Sequence, residues 1–177
     1  HFVGVGSDAA PWPGADALPA LTFVMFQLMF AVITPALISG SIADRTKFWA
    51  WTLFVAGWAT LCYFPVAHWV FAFDSDTTKG GWIANKLHAL DFAGGTAVEI
   101  TSGASGLALA FIVGRRIGWK REPFRPHNLP AVLLGAGLLW FGWYGFNAGS
   151  ALAANGTAAL ALINTTGSGT AGILGWL

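Results

Sequence analysis

Between Asp91 and the arginine pair Arg115 and Arg116, the run DFAGGTAVEITSGASGLALAFIVGRR carries one charged side chain, Glu99. A carboxylate in an uncharged run of helix length can relay a proton, sit protonated and neutral, or hydrogen-bond to a neighbouring helix. At a helical rise of about 1.5 Å per residue it stands about 12 Å from Asp91 and about 24 Å from Arg115, deep within the run. An ionised acid at the centre of a membrane-spanning helix costs at least about 2.5 kcal/mol, so such residues face a bundle interior or a polar pathway. Glu99 is therefore the first candidate functional group. Asp91, just ahead of the same helix, reads as an N-cap whose carboxylate accepts the free amides of the first turn.

Aromatic and small residues form the other candidate chemistry. Phe26 with Phe30, Trp69 with Phe71, Phe146, and the hydroxyl of Ser150 offer ring faces and an oxygen that together suit a small cation. An interfacial aromatic belt uses the same residue types. Gly94, Gly95, Ser102, Gly103, Ser105 and Gly106 narrow the helix around Glu99, and Gly145 and Gly149 do the same further on, so other backbones can approach closely. His1, His68, His88 and His127 lack metal-ligand spacing. The single Cys62 allows neither a disulfide framework nor a thiolate cluster and reads as a small buried hydrophobe. No metal, cofactor or covalent catalysis is expected.

The elements that must position these residues follow from composition. Of 177 residues, 55% are hydrophobic and 10% charged, against about 25% charged in a soluble domain, so this is a membrane chain. The 10 Trp, 14 Phe and 23 Gly fit tightly packed spanning helices. A net charge of +1 gives no sign of a nucleic-acid partner. Apolar runs predict helices over approximately 17–43, 48–73, 92–114, 129–146 and 158–177, each near the length of about 20 residues that crosses a hydrocarbon core. The reading is an all-α, polytopic membrane helix bundle in one domain, 1–177, with Pro35 tolerated inside its first helix. Residues 1–16 read as a Pro- and Gly-punctuated loop without the basic start and apolar stretch of a signal peptide. A start at His1 and an end inside an apolar run predict a piece of a longer chain. Seven of the nine Lys and Arg fall in two loops, Arg45 and Lys47 in one and Arg115, Arg116, Lys120, Arg121 and Arg125 in the other. Both loops are expected on the cytoplasmic side, with 74–91 and 147–155 outside; a docking surface for a cytosolic partner is the second reading of the basic loop.

The stretches FQLMFAVITPALISGSIADR, YFPVAHWVF, DFAGGTAVEITSGASGLALA and RPHNLPAVLLGAGLLWFGWYGFNAGSALAANGTAALALINT, in that order, resemble the ammonium transporter (Amt/Mep/Rh) family over nearly the whole chain. The resemblance implies a multi-pass protein of the cell membrane, an eleven-helix protomer with an inverted repeat, a path through each protomer, and a homotrimer in the bilayer. This piece would hold the third to seventh helices. It implies ammonium or ammonia as cargo, methylammonium as analogue, no enzymatic activity, and a PII-type regulatory protein as candidate cytosolic partner. By the same resemblance Phe30 and Phe146 match the ring pair closing the outer end of the pore. Ser150, Phe30 and Phe71 match the outer recruitment site, with Phe71 where the family usually has Trp. Asp91 matches the acid that orders the outer path. Glu99 falls where most members have the first of two pore histidines, a position at which some fungal Mep proteins carry an acid. A neutral carboxylic acid donates and accepts as imidazole does, whereas its anion only accepts, so Glu99 alters the protonation regime of a relay. An ammonium sensor using the same site for signalling is the competing class, and a nonconducting structural homologue is a third.

Overall fold

The computed structural model describes residues 18–177. The expected loop at 1–16, His1 within it, and the start of the first helix at residue 17 lie outside the described residues. Throughout the described residues the architecture is helical, with connecting turns. Contacts cluster into two units, residues 22–122 and residues 123–177 with the chain up to Leu21; the sequence alone reads 1–177 as one domain.

In the unit of residues 22–122, α1 (Ala20–Ile38) continues through Pro35 and closes in a 3-10 turn at Ser39–Ser41. Proline removes one backbone donor from the ladder, and the Thr34 hydroxyl beside it donates to the Phe30 carbonyl at 2.5 Å. The next long helix, α2 (Phe48–Phe71), is interrupted by a π turn at Ala59–Tyr63 before it resumes at Phe64. A single-turn α3 (Trp82–Asn85) leads to α4 (Gly95–Val113), whose first residues, Gly95–Ile100, form a second π turn.

The core of this unit comprises Thr34 and Ile38 of α1, Trp58, Tyr63 and Val70 of α2, and Ala97, Val98 and Ser102 of α4. Trp58 donates its indole N–H to the Ser105 hydroxyl at 2.9 Å, fastening α2 to α4. The small residues of α4 divide between two faces. Val98, Ser102 and Gly106, spaced four apart, lie on the buried face, with Gly106 against Ser41, whereas Gly95 and Gly103 face open space. Cys62 is exposed, contrary to the buried position expected from sequence. In the π turn its neighbour Tyr63 takes the inward direction instead.

In the other unit, α5 (Leu129–Gly149) and α6 (Gly156–Trp176) pack on each other. Each begins at an asparagine whose side-chain oxygen accepts a first-turn amide: Asn128 from Ala131 at 3.1 Å, and Asn155 from Ala158 at 3.0 Å. Between them, Asn147 donates to Thr165 at 2.9 Å. Large apolar side chains such as Leu134, Phe141 and Ile163 face outward, as a helix set in lipid requires. α1 with its 3-10 turn, α2, α4 and α5 are long and apolar enough to cross a membrane. α6 equals α5 in length at 21 residues but carries Asn164, Thr165, Thr166, Ser168 and Thr170.

Candidate functional site

The site begins at the start of α4. Asp91 accepts the backbone N–H of Gly94 through Oδ1 at 2.6 Å, and those of Thr96 and Ala97 through Oδ2 at 2.8 and 3.1 Å. These are donors that a helix start leaves without intrahelical partners. Gly94 sits at φ 95°, a left-handed conformation that glycine adopts without strain and that turns the chain into the helix. Because residues 91–94 fold around the carboxylate, the helix begins at Gly95, three residues later than the apolar run suggests.

That shift moves Glu99. It stands four residues into α4, about 6 Å along the axis, near the Asp91 end instead of deep in the span. The π turn is held by the Gly94 carbonyl, which accepts the amides of Val98 at 2.7 Å and Glu99 at 3.1 Å, and by the Thr101 hydroxyl donating to the Thr96 carbonyl at 3.0 Å. Such wide turns recur at functional positions because they rotate one side chain out of helical phase. Val98 is fully buried while Glu99 points to the exposed face of the unit. The enclosed carboxylate expected from sequence is thus a surface carboxylate within this stretch of chain. The cause is the phase of α4, which gives its inward face to Val98 and Ser102.

Phe30 is 4% exposed and packs edge-on against Phe26, ring centroids 4.8 Å apart. Its carbonyl takes the Thr34 hydroxyl, and Thr34, fully buried, lies within reach of the Tyr63 hydroxyl. Phe71 is the last residue of α2 and is half-buried. The chain beyond it is held by Asn85, whose side-chain amide donates to the carbonyls of Ala72 at 2.9 Å and Gly81 at 2.6 Å and accepts from the Asp74 amide at 3.0 Å. A Cβ at Gly81 would overlap the backbone of His68 and Trp69, and one at Gly80 that of Ala72 and Phe73. Trp69 pairs with Trp82 at 6.0 Å. Phe30, Phe71, Asp91 and Glu99 all belong to the unit of residues 22–122.

Phe146 and Ser150 belong to the other unit, at the end of α5. The Ser150 hydroxyl donates to the Phe146 carbonyl at 2.7 Å, and the Phe146 ring stacks on Trp143 at 4.7 Å with 14° between planes. Trp143 and Asn147 also line a cleft of about 460 Å³ between α5 and α6, together with Trp140, Thr165 and Ser168. Among the described residues, no cluster of three or more His, Cys, Asp or Glu could hold a metal ion.

Four contributors escape the sequence reading: Thr34, Tyr63, Asn85 and Trp143. Trp143 has a signal, its spacing of three residues from Phe146 on one helix face. For Asn85 the adjacent Gly80–Gly81 pair marks a close turn. Thr34 and Tyr63 carry no local signal, since their pairing joins two helices.

The sequence matches the family described as Ammonium Transporter Family over residues 4–177. The chain belongs to the ammonium transporter family. It is 64% identical over 166 residues to an ammonium transporter of Mycobacterium tuberculosis, covering 93% of this chain and 35% of that protein. It is 49% identical to one of Bacillus subtilis, covering 98% and 40%. The crystal structure of Candida albicans Mep2 superposes with a TM-score of 0.72 at 33% identity, covering 85% of this chain and 32% of Mep2. The chain therefore spans little more than a third of these relatives. Family membership and several helices able to span a bilayer make it part of a multi-pass integral membrane protein.

Proposed function

We propose that the protein containing this chain moves ammonium or ammonia across the cell membrane without chemical change to the cargo, residues 1–177 acting as part of one transporter domain. In this reading Phe71, Phe30 and Ser150 recruit the cation, ring faces and a hydroxyl replacing part of its water shell. Phe30 and Phe146 form the gate that strips the remainder, and Glu99 passes the proton or ammonia onward. Asp91 shapes the start of α4 and acts on the path through the backbone it holds. The proposal extends to a homotrimer and to a PII-type cytosolic regulator, both on the family resemblance.

The observation that carries the reading is the pairing of Glu99 with the Asp91-ordered helix start. A carboxylate one turn inside a spanning helix, rotated off the packed face by a π turn, is suited to a polar path. The names of the relatives support ammonium as cargo. The test is reconstitution of the full-length protein in proteoliposomes with an imposed ammonium gradient. Transport predicts ammonium-dependent current or methylammonium uptake above that of empty vesicles. Saturable binding with no flux would replace transport by sensing.

A further inference from the structure

We infer that Thr34, backed by the Tyr63 hydroxyl, is a positioning residue that sets the Phe30 ring for cation recruitment. The inference rests on the role proposed for Phe30 and adds the groups that hold its ring in place. All three side chains belong to the unit of residues 22–122 and are enclosed within it, Thr34 at 0%, Tyr63 at 2% and Phe30 at 4% exposed. Enclosure by these residues alone persists when the rest of a longer protein packs around them.

Phe30 sits where α1 is least held by its own ladder. Pro35 has no amide to give the Ala31 carbonyl four residues back, and its ring presses on that carbonyl. The turn that carries Phe30 therefore adjoins a break. There the Thr34 hydroxyl donates to the Phe30 carbonyl at 2.5 Å, a back-bond of the kind that bends helices. Thr52 and Thr60 make the same bond to Phe48 and Ala56 outside the core of this unit, whereas Thr34 makes it inside.

A hydroxyl has one proton, so Thr34 Oγ1, having given its proton to Phe30, can only accept. The Tyr63 hydroxyl lies within reach to fill that role. Tyr63 is itself fixed: the π turn at Ala59–Tyr63 ends on it, and its ring stacks on Trp58 at 6.2 Å with 27° between planes, while Trp58 is bonded to Ser105 of α4. Phe26 meets the Phe30 ring edge-on at 4.8 Å. Cation–π attraction requires the cation over the ring face. A ring held in advance offers that face without a further ordering cost on binding.

The test uses the full-length protein, with para-fluorophenylalanine at position 30 for the fluorine resonance and with native Phe30 for ammonium-driven current in proteoliposomes. Thr34→Val keeps the side-chain shape and removes the hydroxyl; Thr34→Ser keeps the hydroxyl. Thr34→Val should displace or split the resonance and raise the half-saturating ammonium concentration by about fivefold, the scale of one weakened cation–π contact, with maximal current within about twofold of wild type. Thr34→Ser should restore both. Tyr63→Phe, which removes the phenol proton and keeps the ring on Trp58, should also displace the resonance, and it carries the test if Thr34→Val yields no monodisperse protein. An unchanged resonance in either variant overturns the inference, as does a Thr34→Ser protein altered as much as Thr34→Val. A displaced resonance with wild-type half-saturation upholds the positioning and removes Phe30 from recruitment instead.

Discussion

Oδ2 of Asp91 accepts the backbone N–H of Thr96 at 2.8 Å, five residues along the chain, and that of Ala97 at 3.1 Å. One carboxylate thus fixes where α4 starts and, through the π turn, which way Glu99 points. Asp91→Ala leaves three first-turn amides without their acceptor and should destabilise the full-length protein by about 1–3 kcal/mol. Asp91→Asn, which keeps one acceptor oxygen, should fall between. Thermal loss of monodisperse protein ranks the three, and an Ala variant as stable as wild type would remove Asp91 from this role.

Asn85 and Gly81 hold the segment after Phe71. Gly81→Ala would press a methyl into the His68 and Trp69 backbone, so the turn must open. Trypsin cleavage after Lys79 and Lys86 should accelerate several-fold in Gly81→Ala and in Asn85→Ala. Unchanged cleavage in both would mean that the loop is held by other contacts.

How much of this was legible in the sequence depends on the kind of contact involved. The helical membrane class follows from uncharged runs and low charge, which burial in lipid imposes on composition directly. Asp91 as an acceptor for first-turn amides was readable because a cap is local. The start of α4 was not: Phe92, Ala93 and Gly94 are as apolar as the helix they precede, and only the Asp91 hydrogen bonds separate them from it. The π turns at Ala59–Tyr63 and Gly95–Ile100 leave no mark on hydropathy. Consequently the outward aim of Glu99 and of Cys62 was invisible. The Thr34–Tyr63 pair and the Trp58–Ser105 bond join residues distant in sequence and required the fold.

Orientation yields a prediction from charge alone. With both basic loops cytoplasmic, a cysteine introduced beside Lys120 should react with an impermeant maleimide only from inside, and one beside Thr78 only from outside. The opposite pattern would invert the proposed direction of the recruitment residues.

The Phe146 ring lies flat on Trp143 and its carbonyl holds Ser150. Phe146→Ala in the full-length protein should change methylammonium uptake by about tenfold or less in either direction, the scale of one lost ring contact, while assembly is retained on size exclusion. Wild-type uptake kinetics would dismiss Phe146 as a gate.

The central claim is that Glu99 takes part in transfer and does not merely brace helices. The most direct measurement is ammonium-driven current in proteoliposomes across a pH series for the full-length wild type, Glu99→Gln and Glu99→His. Glutamine keeps the size and hydrogen-bonding capacity but exchanges no proton, so current should fall sharply while folding survives. Histidine should conduct with a displaced pH profile. Equal currents and coincident pH profiles for wild type and Glu99→Gln would contradict the account and leave Glu99 a structural acid.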